Sequence, residues 1–337
     1  MGTTSYSLMP ISVRGQEASA LYFMPAYTAF SDSEMGQLFT IDTTIPVNGQ
    51  KQTLFIGNMN APMRLKAGCG SNPTGSMSIG GKMLTVKKVE SFIPFCLDDF
   101  ERAALQQLGS KSITSLSYDM QQSLLMSIAN KRLMEGEQRQ RVDNAFFGSL
   151  ASTDATMNLC NGLFSVLLPQ AIGNGTPNVD AFGGVALGAG DAIEYLNQII
   201  EAQTNELMGV MDTDKWLIIS RAVQNALVRD LQAGAIGSGM YSPVIINGIS
   251  IPAFRGIPIK MVATLDSEWK ALNGQINGNL VLLTAKGNLQ MGSSGADAQM
   301  FEQWYDQKDQ TNYSRTTDQF GFGIYSEELM VAGFKKP

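Results

Sequence analysis

The side chains in this sequence that could do chemistry are three acidic clusters, a set of lysines and three cysteines. Asp98, Asp99 and Glu101 could form a carboxylate site. Asp98 with Glu101 three residues on, followed by Leu105 and Leu108 and closed by Gly109, is also the pattern of a short capped helix, and that reading is preferred. Asp212 and Asp214 flank Thr213 as metal ligands would, but the rest of a calcium loop is missing, so the pair reads as the turn before a strand at Trp216. Glu327 and Glu328 are adjacent, so a strand would send them to opposite faces and no acid–base dyad results. Lys66, Lys82, Lys87 and Lys88 sit among strand and glycine residues and read as interface charges rather than Schiff-base formers. Cys69, Cys96 and Cys160 are odd in number, widely spaced and free of any CxxC pair, which fits idle thiols in a reducing compartment.

The chain has no histidine. That removes Ser-His-Asp and Cys-His nucleophile systems, imidazole proton transfer and His-bearing metal sites. Phosphate cradles fail as well, because the run Gly234-Ala-Ile-Gly-Ser-Gly239 follows a helix instead of a strand. No cofactor and no metal are expected, and no residue pattern requires an enzyme. Charged residues make up 16% of the 337, well under the roughly 25% of ordinary soluble domains, which suits a subunit that covers much of its surface with copies of itself. A net charge of −6 argues against a dedicated nucleic-acid binder. No apolar run approaches the roughly 18 residues of a membrane-spanning helix, and the product is expected to be cytoplasmic at synthesis.

The elements that would position these residues can be read in order. Residues 1–45 form a polar arm with scattered aromatics and no period, expected to lie on another surface. Residues 46–93 hold two extended segments around a tip rich in Gly68, Gly70, Gly75, Gly80 and Gly81, a long β-hairpin that needs a surface beyond its own two strands. Residues 115–147 carry Leu116, Met120, Leu124 and Ile128 at helical spacing, then the wholly polar Glu135-Gly-Glu-Gln-Arg-Gln-Arg141 before Val142, Ala145 and Phe146 resume. So long a helix with half of it unstriped must run across a surface, its polar half either solvated or against another subunit. After a glycine-rich linker at 171–190 comes an α/β region: a helix capped by Asp191 with Glu194, a buried strand at Trp216–Ile219, a helix capped by Ser220, and strands at Val244–Ile251 and Ile257–Ala263. The end is β-rich, with strands at Asn279–Thr284, Asn288–Met291, Met300–Tyr305, Phe320–Tyr325 and Leu329–Phe334. A polar connector is expected at Asp306–Asp318.

This order of parts resembles the major capsid proteins of tailed bacteriophages, the HK97-like α+β fold. The residues that carry the resemblance are Asn279-Leu-Val-Leu-Leu-Thr284, Gly287-Asn-Leu-Gln-Met-Gly292, Phe301-Glu-Gln-Trp-Tyr305 and Gly321-Phe-Gly-Ile-Tyr-Ser-Glu-Glu-Leu-Met-Val-Ala332, which look like that family's closing strands. The resemblance implies an N-terminal arm (1–45), an extended hairpin loop lying across an adjacent subunit (46–93) and a peripheral domain (94–179) with a spine helix at 115–147. It also implies an axial α/β domain (180–292) and C-terminal strands returning to the peripheral domain (293–337). It implies a structural protein of the virion, assembled in the host cytoplasm from hexamers and pentamers around double-stranded DNA that is not read by sequence. A separate scaffolding protein, a portal and decoration proteins would be partners, and no membrane.

The expected inter-subunit residues are the hairpin cations Arg64, Lys66, Lys82 and Lys87, meeting Glu135 and Glu137 on a neighbour's spine helix, together with Arg139 and Arg141 on that helix. The Gly234, Gly237 and Gly239 loop is expected at the ring centre. An encapsulin-like compartment shell is the alternative, and a histidine-free α/β enzyme or a sugar-binding phage accessory protein is a more distant one.

Overall fold

The computed structural model describes residues 34–46, 48–60, 76–95, 118–180, 182–233, 243–246, 249–262, 265–272, 278–293, 300–306, 308 and 311–335. Most of the arm, the hairpin tip with Arg64, Lys66 and Cys69, the short helix at 98–109, and the loop with Gly234, Gly237 and Gly239 lie outside these residues.

Two sheets organise the chain. The first is built on β14 (Thr311–Ile324), 14 residues long. On one edge it pairs antiparallel with β4 (Lys87–Phe95). On the other edge it pairs with β13 (Met300–Asp306) and then, further along, with β12 (Leu289–Ser293). The short β1 (Thr40–Asp42) adds in parallel outside β12, just after helix α1 (Glu34–Leu38). The second sheet runs β5 (Asn178–Val179), β15 (Met330–Gly333), β11 (Val281–Ala285), β6 (Lys215–Ser220), β10 (Ile257–Val262) and β9 (Ala253–Phe254). Two further strand pairs stand apart: the hairpin β2 (Gln50–Asn60) with β3 (Ser76–Thr85), and β7 (Val244–Ile246) with β8 (Ile249–Ile251).

Alternation along the second sheet separates two cores. Leu217, Ile219, Val281, Leu283 and Val331 face helices α4 (Asp191–Glu201), α5 (Asn205–Met208) and α6 (Arg221–Gln232). Trp216, Ile218, Leu282, Met330 and Ala332 face the other way, into a core shared with Met291, Phe320, Phe322 and Ile324 of the first sheet. A strand apolar on both faces reads as a continuous hydrophobic run, and Trp216–Ile219 is one. The long helix α2 (Tyr118–Phe147, 30 residues) drives its last turn, Ala145, Phe146 and Phe147, into that shared core, where Phe164 stacks 6.0 Å from Phe147. At about 1.5–3 kcal/mol for each large side chain buried, this anchors the helix end firmly. Helix α3 (Leu168–Gly173) and helix α7 (Leu265–Leu272), with Leu265 and Trp269 buried, complete the same core.

Several expectations are corrected here. The second extended segment of the 46–93 hairpin, expected over Met83–Phe92, is two strands that part at Val86: β3 belongs to the hairpin and β4 to the first sheet. Residues 289–293 pair with β14, so the turn at Lys286-Gly287 passes the chain from the second sheet to the first. Strand β15 returns to β11 in the second sheet. The polar stretch expected as a connector is mostly strand β14. Leu38 and Phe39, at the end of the arm, are buried in the chain's own core. The cap of α4 comes from a different helix: Asp230 accepts from the Gly190 and Ala192 amides at 2.9 and 3.1 Å, while Asp191 turns back to the Gly188 amide. Ser220 caps α6 as expected, accepting from Val223.

Candidate assembly surfaces

The hairpin leaves the body over a seat that two glycines make possible. Ile45, Leu84 and Val86 form a small buried cluster against the outer face of the first sheet. A Cβ on Gly321 would lie 2.0 Å from the Thr85 carbonyl oxygen, and one on Gly292 would lie 2.6 and 2.7 Å from Ile45 and Val86 side-chain atoms. No residue with a side chain lets the hairpin cross so close. Polar contacts then fix the crossing. The Val86 amide donates to the Gly49 carbonyl at 3.1 Å, Asn48 donates to the Gln319 side chain at 2.9 Å, and the Lys88 amide donates to Asn48 at 2.9 Å. Lys51 and Thr44 both donate to Asp42, and these bonds hold its carboxyl down at about 2.

Just outward of the seat, Lys82 meets Glu327 at 2.7 Å. Asn174 donates to the same carboxylate oxygen at 3.0 Å, and the Thr176 hydroxyl donates to the Glu327 carbonyl at 2.9 Å. Beside this pair lies a cavity of about 250 Å³ between Lys82 and Met83 of the hairpin, Gln170 and Asn174 of the α3 region, and Phe322 of β14.

The outer face of the first sheet carries an aromatic row. Trp304 and Tyr313 are register partners, and Phe92 lies opposite Arg315, next along the same face. The Phe92 ring stands 5.4 Å from Tyr313 at 3° and 5.8 Å from Trp304 at 22°, yet Phe92 is 52% exposed. An Arg315–Glu90 ion pair of 2.6 Å borders the row. Stacked rings left this open to water are costly in a finished surface and suit one that becomes covered.

The opposite face of β14 meets the polar half of α2. Arg141 reaches Asp318 at 2.5 Å, and both are 5% exposed. The guanidinium also sits 5.6 Å over the Phe320 ring. Asn144 donates to the carbonyls of Gln140 and Thr156 at 2.9 and 2.7 Å. Leu133 and Met134 pack on Phe301. Thus part of the polar half is partnered within the chain. Glu135, Gly136 and Arg139 remain exposed, Glu137 is half-buried, and Arg139 pairs with Asp143 at 4.0 Å.

Of the expected interface residues, Lys87 and Glu135 lie exposed and Glu137 lines the cleft beside Arg141. Within the chain, Arg141 forms a buried pair with Asp318 of β14. Lys82 pairs with Glu327. The partners Asp318 and Asp230 were not singled out by sequence reasoning, and Glu327 was weighed only as half of an acid–base dyad. For Asp318 the available signal was its place in the alternation Asn312, Ser314, Thr316, Asp318, all on the buried face.

Chemistry is sparse. Among the described residues no group of three His, Cys, Asp or Glu side chains could hold a metal, and no helix is long and apolar enough to cross a membrane. Cys160 is buried, and burial pushes its thiol up to about 12, where it is not nucleophilic. Asp212 and Asp214 lie in the turn before β6, as expected, with Asp212 paired to the buried Lys215 at 2.9 Å.

No family model and no curated protein matches the chain. Solved structures do. A chain of the satellite phage P4 procapsid that includes the size determination protein is 10% identical with a TM-score of 0.54, covering 94% of this chain and 99% of that one. The capsid of Myoviridae phage XM1 is 12% identical with a TM-score of 0.52, covering 99% and 97%. The holo-SrpI encapsulin of Synechococcus elongatus PCC 7942 is 9% identical with a TM-score of 0.50, covering 89% and 86%. The chain therefore has the HK97-like α+β fold.

Proposed function

We propose that this chain is the major capsid subunit of a tailed phage, a structural protein that assembles as pentamers and hexamers into an icosahedral shell around double-stranded DNA. The observation that carries the reading is the β2–β3 hairpin, whose buried apolar contact at its base is one small seat. Two strands alone are marginal in water, so the hairpin gains its surface from a second copy. The aromatic row of Phe92, Trp304 and Tyr313, with exposed Lys87 and Glu135 elsewhere on the peripheral part, is the receiving side. Arg64 and Lys66 of the hairpin tip supply charge to that contact, and the Gly234–Gly239 loop lies at the ring centre. A separate scaffolding protein, a portal and decoration proteins join the shell in the host cytoplasm, and the finished subunit resides in the virion. DNA is enclosed without sequence readout, consistent with a net charge of −6.

A compartment shell enclosing cargo protein is the second reading, favoured by the likeness to the encapsulin. Expression of the chain alone and with scaffold candidates, followed by electron microscopy and light scattering, tests both. Closed shells or six-membered rings are expected. Shells filled with a host protein would move the assignment to a compartment, and a monomer under every condition would overturn both.

A further inference from the structure

We infer that the Lys82–Glu327 pair is a clasp that sets the direction in which the hairpin leaves the body. Three observations carry this. The apolar seat of Ile45, Leu84 and Val86 is small and lies close to the strand's exit, so it holds position better than angle. Lys82 and Leu84 alternate onto one face of β3, which places Lys82 one step outward of the seat, where a contact has leverage on the angle. The cavity of about 250 Å³ beside the pair leaves room for the hairpin to swing when the pair opens.

The two halves of the clasp are unequal. Glu327 is held from the body by Asn174 at 3.0 Å and by the Thr176 hydroxyl on its own carbonyl at 2.9 Å. Lys82 comes to it on a flexible stem. The side chains are 30% and 23% exposed, so water and salt weaken the pair. A directional bond beside a void favours one hairpin angle while it is made and frees the others when it opens. Opening it would leave the seat intact and change only the hairpin's reach. Its consequence for shells rests on the assembly reading above. The clasp itself is a property of the free subunit, so the two can fail separately.

The test uses the full unassembled chain with spin labels at Asn58→Cys on β2 and Gln198→Cys on α4, with Cys69 and Cys96 replaced by serine. Electron–electron distance measurements should give one narrow distribution for otherwise native protein. Lys82→Met and Glu327→Gln should each broaden it by about twofold or more, and the charge swap Lys82→Glu with Glu327→Lys should restore it. Salt near 1 M should broaden the native distribution in the same way. Circular dichroism confirms that each variant is folded. Unchanged distributions in both single variants overturn the clasp. Broadening that the swap does not reverse overturns its ionic nature.

Discussion

Arg141 and Asp318 meet 2.5 Å apart at 5% exposure each, joining the long helix α2 to the central strand β14 across 177 residues of sequence. The pair lies where two polar surfaces face each other. Breaking it from one side leaves the other charge buried. Arg141→Met should cost about 3–5 kcal/mol and lower the melting temperature by several degrees, while Arg141→Met with Asp318→Leu should recover most of the loss. Calorimetry on the three variants checks this, and a single variant as stable as the parent would rule the pair out as a joint.

Gly321→Ala puts a methyl 2.0 Å from a backbone carbonyl that cannot rotate away. The hairpin crossing must shift, at a cost of about 1–3 kcal/mol. Thermal melts should show the loss, and light scattering should show assembly falling further than stability alone explains. Assembly and stability falling in step would show that the seat acts only on the fold.

Asp143 supplies a pH dependence. Burial, and then the nearby Glu268 carboxylate, raise its pKa to about 6 from the usual value of 3.8. A carboxyl with a raised folded-state pKa favours the folded chain when protonated. Its contribution is therefore complete below about pH 4 and lost as pH rises through 6. Because Asp143 is partly solvated, the effect is discounted to about 1–2 kcal/mol. Asp143→Asn should stabilise the chain at pH 7.5 and have little effect at pH 4.5, measured by paired melts. Equal effects at the two pH values would contradict the shift.

Cys160 is buried with its thiol raised to about 12. Iodoacetamide at pH 8 should leave it unmodified in the native chain and modify it in denaturant, as read by mass spectrometry of the tryptic peptide. Rapid native labelling would show that the core around Phe146 and Phe164 opens readily.

Phe92→Ser and Trp304→Ser remove rings from an open face, so the folded subunit should change little. If the row becomes covered on assembly, each should raise the concentration at which shells appear by about threefold to tenfold, since such a ring contact is worth about 0.5–1.5 kcal/mol. Assembly at the parent concentration would remove the row from the contact.

Much of this architecture is legible in the sequence where one apolar pattern meets one cap. Trp216–Ile219, Ser220 and the α6 stripe of Val223, Ala226 and Leu227 read correctly because buried strand, cap and helix face are all local. The polar half of α2 and the polar part of β14 read as a solvated or intersubunit helix face and a loop, since each looked unpartnered. They partner each other through Arg141 and Asp318, and pairing over that separation leaves no periodic trace. The α4 cap was misplaced for a like reason. Asp191 sits at the right spacing, but Asp230, 38 residues beyond Ala192, reaches the amides first. The passage of the chain between sheets at Lys286-Gly287 is hidden because the turn is the same whether the next strand pairs back or crosses away.

The last strand, Met330–Gly333, does not extend an edge. It sits between β5 and β11, bonded on both sides. The second sheet therefore stays split between β5 and β11 until this strand has been made and has slotted in. A chain that stopped short of Met330 would carry a gap through the middle of that sheet, with the backbone groups of β5 and β11 left bare on either side of it.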